Sequence, residues 1–257
     1  MNNLIKMTAA GIAMNIRSSQ AGVAIAADLK VFSTIGVQGA VEELVPQFEK
    51  GSGHKLAITW ATAPMLVKRV QGGATADVMI LNLAGIDIMS KEGRIAPGSG
   101  VTLASSGVAI AVKAGAPKPD ISTPEALKKT LLNAKSISYT DPAAGGASGI
   151  YFAKLLERMG IANEINAKTK FPPPGGYSGN FLLTGEAELA VQQKPELMHI
   201  AGTEIVGPLP GDLNMVTVFA AGVWMDSKKG EAANALVKFL HSPEAAAVFK
   251  ARGLDPL

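Results

Sequence analysis

From Leu29 onward two kinds of hydrophobic spacing alternate along the chain: short apolar runs, and longer stretches whose apolar positions recur at three and four. The first run predicts a strand over 29–32 and a turn over 33–36. A helix follows, because Val37, Ala40, Val41, Leu44 and Phe48 fall on one helical stripe. Pro46 is expected to bend or shorten this helix, and Gly51-Ser52-Gly53 to end it. The unit then repeats: strand 55–60, turn 61–64, helix 65–71, strand 77–81, helix 84–91.

An apolar strand over 108–112 runs into Gly115-Ala116-Pro117-Lys118-Pro119, which reads as a crossing into a new region. There Thr123 and Pro124 have the chemistry of a helix start, as N-cap and first helical residue. The region continues with strand 136–139, helix 150–159, strand 188–192 and a short helix near 195–199. An apolar strand over 215–223 returns the chain, and two helices close it, over 229–240 and from Ser242-Pro243 onward. Strands alternating with helices predict an α/β fold with mostly parallel sheets. Two crossings predict two lobes, one built from 27–111 plus 216–257 and the other from 112–215.

The N-terminus adds a different signal. Lys6, the apolar run over 7–16 and Ala24-Ile25-Ala26 form the basic, apolar and small-x-small parts of a secretory signal over 1–26, so a periplasmic location is expected. With no cysteine in the 257 residues, disulfides, thiolate nucleophiles and cysteine metal sites are excluded, and so is a diacylglyceryl anchor. A formal net charge of +3, with both signs interspersed and aromatics at 5%, leaves no electrostatic stripe and few stacking platforms for nucleic acid. No segment has the apolar length of a membrane span. A monomer free in the periplasm is the expectation.

Candidate chemistry concentrates in turns between strands and helices. In Asp141-Pro142-Ala143-Ala144-Gly145-Gly146-Ala147-Ser148-Gly149 a strand runs through small residues into an amphipathic helix, an arrangement that aims free backbone N–H groups at whatever occupies the mouth. The bland alternative is an ordinary connection with Ser148 as helix cap. Ser33-Thr34-Ile35-Gly36, Thr62-Ala63-Pro64 and Gly175-Gly176-Tyr177-Ser178 are further turns rich in small or hydroxyl residues. In open α/β sheets, turns of this kind converge outside the carboxyl ends of the strands. Ser148 lacks the Gly-x-Ser-x-Gly spacing, since residue 150 is isoleucine, and no acid and histidine follow it as a triad. His54, His199 and His241 stand apart without metal-ligand spacing, and no phosphate-loop or dinucleotide glycine pattern occurs. No cofactor, metal or catalytic residue is expected. A serine hydrolase or transferase using Ser148 remains the alternative from another class.

The turn after Val31-Phe32, the helix end over 43–53, the segment Gly72 to Leu81, Asp141-Pro142 through Tyr151, and the final stretch to Gly253 together resemble a known family. It is that of the periplasmic solute-binding proteins of ABC importers, in the branch of the molybdate-binding proteins. The resemblance implies a two-lobed type II binding protein with two hinge strands, placed near Gly107 and near Ala221-Gly222. It implies a small anion held without counter-cations, and a permease and ATPase as partners. The ligand-binding set it implies is Ser33, Thr34, Gly36, Thr62, Ala63, Ser148, Gly149, Gly176, Tyr177, Ser178 and Gln193. The family's first serine position falls on Gly36, and its tyrosine position on Gln192 or Gln193. These departures favour a ligand with mixed groups, such as a small carboxylate or phosphorylated acid, beside a molybdate-like oxyanion. A ligand-responsive sensor or surface protein of the same fold is a further reading.

Overall fold

The computed structural model describes residues 26–257, so all but the last residue of the expected leader lies outside the described residues. Strand β1 (Asp28–Thr34) becomes continuously buried along its second half, as a strand covered on both faces does. A single 3-10 turn, Ile35–Val37, leads into α1 (Gln38–Ser52), which buries Ala40, Val41, Leu44 and Phe48. Pro46 does not end this helix. Phe48, two residues further on, is buried in the same core as Leu44, and Gly53 closes the helix at φ 76° with its N–H on the Glu49 carbonyl. Then come β2 (Lys55–Ala61), α2 (Ala63–Gln71), β3 (Val78–Asn82) and α3 (Leu83–Lys91).

The crossing strand β4 (Val101–Lys113) is thirteen residues long. Only its apolar second half was legible as a strand, because Thr102, Ser105, Ser106 and Gly107 hide the first. The second region holds α4 (Pro124–Asn133), capped by the Thr123 hydroxyl as expected, then β5 (Ile137–Tyr139) and α5 (Ala147–Arg158). It continues with α6 (Ala162–Asn166), β6 (Thr169–Lys170), α7 (Asn180–Thr184), β7 (Leu189–Gln193), α8 (Lys194–Met198) and β8 (Thr203–Pro208). The chain returns through β9 (Val216–Val223) to α9 (Gly230–Leu240), α10 (Pro243–Ala251), begun by the Ser242 cap, and β10 (Asp255–Pro256). Of these, α6, α7, β8 and β10 are short or weakly patterned, and the hydrophobic spacing did not announce them.

The strands form one curled sheet in the order β2-β1-β3-β9-β4-β7-β5-β6, with β8 and β10 also on β4. Pairing is parallel toward the two outer ends, among β2, β1 and β3 and among β7, β5 and β6. It is antiparallel in the middle, where β9 and β4 run against their neighbours. Side-chain alternation then builds a core on each face. Val78 and Ile80 of β3 pack with α1, α9 and α10, while Met79 and Leu81 pack with α2 and α3. In the other lobe Val108, Ile110 and Val112 of β4 face α4, α5 and α6, and Ala109 and Ala111 face α7 and α8.

The two lobes meet within β4. Residues up to Gly107 pair with β9 and, at Ala104 and Ser105, with β10; residues from Val108 pair with β7 and, from Ala109, with β8. Asn214, just before β9, fills the gap where the ladder changes partner: its Oδ1 accepts from the Val108 N–H at 2.9 Å. A Cβ on Gly107 would lie 2.6 Å from Asn214 Nδ2, so glycine is what lets that side chain approach. The return crossing is therefore at Asn214, whereas Ala221 and Gly222, the expected second hinge, lie inside the first lobe opposite Ile80 and Met79.

Asp77 fastens the first lobe together at the start of β3. It accepts from the Lys30 N–H at 2.8 Å, the Ser227 hydroxyl at 2.7 Å and Lys229 Nζ at 3.2 Å, joining β1 to the segment that enters α9. Burial pushes its carboxyl up, but these bonds outweigh it and hold the group below its ordinary value.

Two outcomes follow from these junctions. Gly107→Ala should displace Asn214 and leave the Val108 N–H unpaired, lowering stability by about 1–3 kcal/mol; an unchanged denaturation midpoint in urea would show that the close approach is dispensable. Asp77→Asn should cost a similar amount at neutral pH. Because the folded value of Asp77 is depressed, its contribution is present above the unfolded value of 3.8 and lost as pH falls through the folded one. Wild type and variant should thus converge in stability in acid, and a gap that persists there would contradict the assignment.

Candidate functional site

Five strands end at the same place. Thr34 closes β1, Thr62 follows β2, Asn82 closes β3, Gly146 lies beyond β5, and Gln193 closes β7; each is also the N-cap of the helical element that comes next. All five line one cavity of about 40 Å³ between the lobes. A buried water needs roughly 10–15 Å³ on the same measure, so the space suits a small molecule. The rest of the wall is Ile35, Gly36, Ala63, Pro64, Thr140, Ala147, Ser148, Glu196, Thr217 and Phe219.

The donors come from helix starts. The side chains of Thr34 and Thr62 make no cap bond, and neither does Gly146, so the first N–H groups of the 3-10 turn, α2 and α5 are left for another acceptor. Two hydroxyls add to them. Thr62 Oγ1 and Thr140 Oγ1 are buried without any hydrogen-bond partner, one from each lobe. A buried hydroxyl without a partner carries a desolvation cost of about 1–3 kcal/mol, which a bound acceptor would remove. Ser138 Oγ is also unpaired but stands outside the lining. Asn82 uses its oxygen to cap α3 through the Gly85 N–H at 3.0 Å.

Among the described residues no Lys, Arg, His or Asp lines the cavity, and the one titratable side chain in its lining is Glu196. Glu196 is 7% exposed, and its Oε2 accepts from the Gln193 N–H at 3.2 Å, the reciprocal bond of a helix-capping pair. Burial pushes its carboxyl up to about 7, against the lowering effect of hydrogen bonds from the Gln193 backbone and the Gln192 side chain. Gln193 itself faces inward. With its amide oxygen turned toward Thr217, it accepts from that hydroxyl at 2.8 Å and donates to the Ser106 and Gly107 carbonyls at 3.1 and 3.2 Å, bracing β7 against the crossing strand.

Phe219 sets the shape of the apolar side. A Cβ on Gly36 would sit 2.6 Å from the Phe219 ring and 3.8 Å from Glu196 Oε1, so the ring and the carboxyl fill the space a serine would need there. Phe219, Ile35 and Pro64 add hydrocarbon to the lining.

Of the residues expected from the sequence, Thr34, Gly36, Thr62, Ala63, Ser148 and Gln193 come together on this wall. The others lie outside it. Ser33 is fully buried, with a weak bond at 3.4 Å to the Thr34 carbonyl, and Gly149 packs on the Thr140 carbonyl behind Ser148. Ser148 is the second residue of α5 and Gly146 is its cap. Ser178 gives its N–H and hydroxyl to Gln192 Oε1 at 2.8 and 2.9 Å, and Gln192 also reaches the Gly176 carbonyl. These bonds fix the 176–178 turn from behind.

Tyr177 serves the mouth. Its hydroxyl donates to Gln38 Oε1 of α1 at 2.6 Å, and Gln38 in turn donates to Glu42. Its ring packs on His199 with centroids 5.1 Å apart. Burial raises the phenol well above its ordinary range, helped by the negative fields of Glu196 and Glu42. Gly145 packs against Pro64, so the lobes touch at a second place. Sequence reasoning missed Asn82, Thr140, Thr217, Glu196 and Phe219. Asn82 and Thr140 obeyed the strand-end rule that found Thr62, and Glu196 stands at capping-box spacing from Gln193.

The chain is similar to known proteins. The family model described as bacterial extracellular solute-binding protein matches residues 29–255. A Pseudomonas protein named aconitate isomerase is 35% identical over 235 residues, covering 89% of this chain and 88% of the relative. The molybdate-binding protein ModA of Azotobacter vinelandii is 27% identical over 240 residues, covering 89% and 90%. The solved periplasmic molybdate-binding protein of Azotobacter vinelandii superposes with a TM-score of 0.73 at 20% identity, covering 88% of this chain and 98% of that one. The chain thus belongs to the bacterial extracellular solute-binding proteins, as a two-lobed type II member of the branch that includes the molybdate-binding proteins.

Proposed function

We propose that this protein captures a small organic carboxylate between its lobes in the periplasm and presents it to an ABC-type permease and ATPase. The observation that carries the reading is the pair of buried, unpartnered hydroxyls, Thr62 Oγ1 and Thr140 Oγ1, contributed by opposite lobes to one cavity. Neutral donors at helix starts bind anions without counter-cations, and closing the lobes desolvates them so that an ill-fitting ligand leaves them unpaired. A tetrahedral oxyanion offers only acceptors on every side. The hydrocarbon of Phe219, Ile35 and Pro64 and the Glu196 carboxyl suit instead a ligand with a carbon skeleton and an uneven polar outline. The residues proposed to contact it are those on the wall: Thr34, Gly36, Thr62, Ala63, Asn82, Thr140, Ser148 and Glu196.

A second reading keeps the ligand class and adds chemistry. The relative named aconitate isomerase shares 35% of its residues with this chain over nearly its whole length. The cavity holds one carboxyl whose titration lies near neutrality, where a general acid or base is most effective.

Calorimetric titration with molybdate, tungstate, sulfate, phosphate, succinate, tricarballylate and cis- and trans-aconitate should give one-site binding to a carboxylate and weaker or no heat with the tetrahedral ions. Tight binding of molybdate alone would reverse the ligand assignment. Thr62→Val and Thr140→Val should each weaken carboxylate binding by about tenfold, from the loss of about 1.4 kcal/mol. The same variants should leave the free protein as stable or slightly more so, because an unsatisfied buried hydroxyl is gone; unchanged affinity would remove these groups from the site. Proton NMR of cis-aconitate incubated with the protein decides the second reading, since growth of the trans isomer supports it and an unaltered spectrum leaves a pure binding protein.

A further inference from the structure

Glu196 stands in an unusual position for a site that attracts anions. It is a carboxyl on the wall of a cavity that, among the described residues, has no Lys, Arg or His in its lining. One oxygen accepts the Gln193 N–H, and the other lies toward Gly36, 3.8 Å from where a Cβ would be. If Glu196 were ionised with an anion in the cavity, two like charges would share a low-dielectric space without a cation between them. In a low-dielectric space such repulsion disfavours the ionised carboxyl while an anion is bound.

The groups packed around Glu196 do not relieve this. The 3-10 turn and β9 bring Gly36, Thr217 and Phe219, none of them titratable. On α1, Glu42 is joined through Gln38 to the Tyr177 hydroxyl and is of the same sign, and Glu43 is paired with Arg252, just after α10. His199, just beyond α8, is engaged with the Tyr177 ring. Lys194, the first residue of α8, is exposed. Lys113 is at the far end of β4, and Glu204 of β8 is paired with Lys118. Among the described residues none of these groups sets a cation beside Glu196, which leaves a proton as the counter-charge.

On the carboxylate reading above, we infer that capture is coupled to protonation of Glu196: the site takes the anion and one proton together, and the neutral carboxyl donates a hydrogen bond to the ligand. The binding unit is an anion plus a proton in a site of neutral dipoles. Loading therefore follows the acidity of the surroundings. The same device sets specificity, because a ligand must offer an acceptor at the Glu196 position as well as at the helix starts. Burial already holds the free carboxyl near neutrality, so the coupling falls within an accessible pH range.

Titration calorimetry with succinate and with cis-aconitate, in two buffers of different ionisation enthalpy between about pH 7 and 9, tests this, because both acids are almost fully ionised over most of that window. Wild type should take up close to one proton per ligand in the upper part of the window, with affinity falling about tenfold per pH unit there. Glu196→Gln keeps the side chain's shape and its acceptor for the Gln193 N–H, and it should bind with no proton uptake and with affinity nearly flat against pH. Carboxylate binding by wild type without proton uptake overturns the coupling while leaving the carboxylate reading intact. Full uptake retained in the Gln variant assigns the proton elsewhere and overturns the role of Glu196. If neither acid binds to wild type, the carboxylate reading and this inference fall together.

Discussion

The architecture depends on a single strand that belongs to both lobes. β4 changes partners between Gly107 and Val108 without ending, and the lost rung of the ladder is replaced by a side chain, Asn214, rather than by backbone. Because β4 is continuous, the direction of the sheet carries across the junction. The parallel strands of each lobe then run so that their carboxyl ends face one another. Helix starts follow strand ends in this fold, so the five N-caps meet as a consequence of sheet geometry and of nothing more specialised. Gln193 reinforces the arrangement by holding β7 to the junction carbonyls and to Thr217.

What collects there is polarity without formal positive charge. A cation would bind most anions strongly and discriminate little among them. Backbone N–H groups and hydroxyls hold an anion only where each meets an acceptor, so selectivity resides in the penalty for missing one. Phe219 and Gly36 adjust this scheme together: the ring takes space on one side, and the absence of a side chain at 36 makes room for it. The result is a lining that mixes hydroxyl and backbone donors with hydrocarbon.

The alternation of strand and helix periods was sufficient for the α/β class and the two crossings, since both follow from local spacing. The first half of β4 was not readable, because small polar residues pair their backbones as well as valine does and leave no hydrophobic trace. The same gap misplaced the return hinge at Ala221-Gly222, where two small residues suggested flexibility but only tight packing beneath Ile95 requires the glycine. In the site, Thr62 and Ser148 were legible because small and hydroxyl residues before a helix have a local meaning. Tyr177 and Ser178 shared that local meaning, yet Gln192 and Gln38 claim their polar groups. Phe219 and Thr217 could not be found this way, since their place on the wall depends on the register of β9 against strands far away in sequence.

The contacts of Tyr177 with Gln38 and of Gly145 with Pro64 also have a kinetic meaning. Both contacts join one lobe to the other, so separating the lobes must break them. For a guest that leaves only when the lobes open, residence time depends on how often they separate as well as on how well it fits. A change at these two contacts that leaves every cavity residue in place would then alter rates of arrival and departure together, without altering the equilibrium by the same factor.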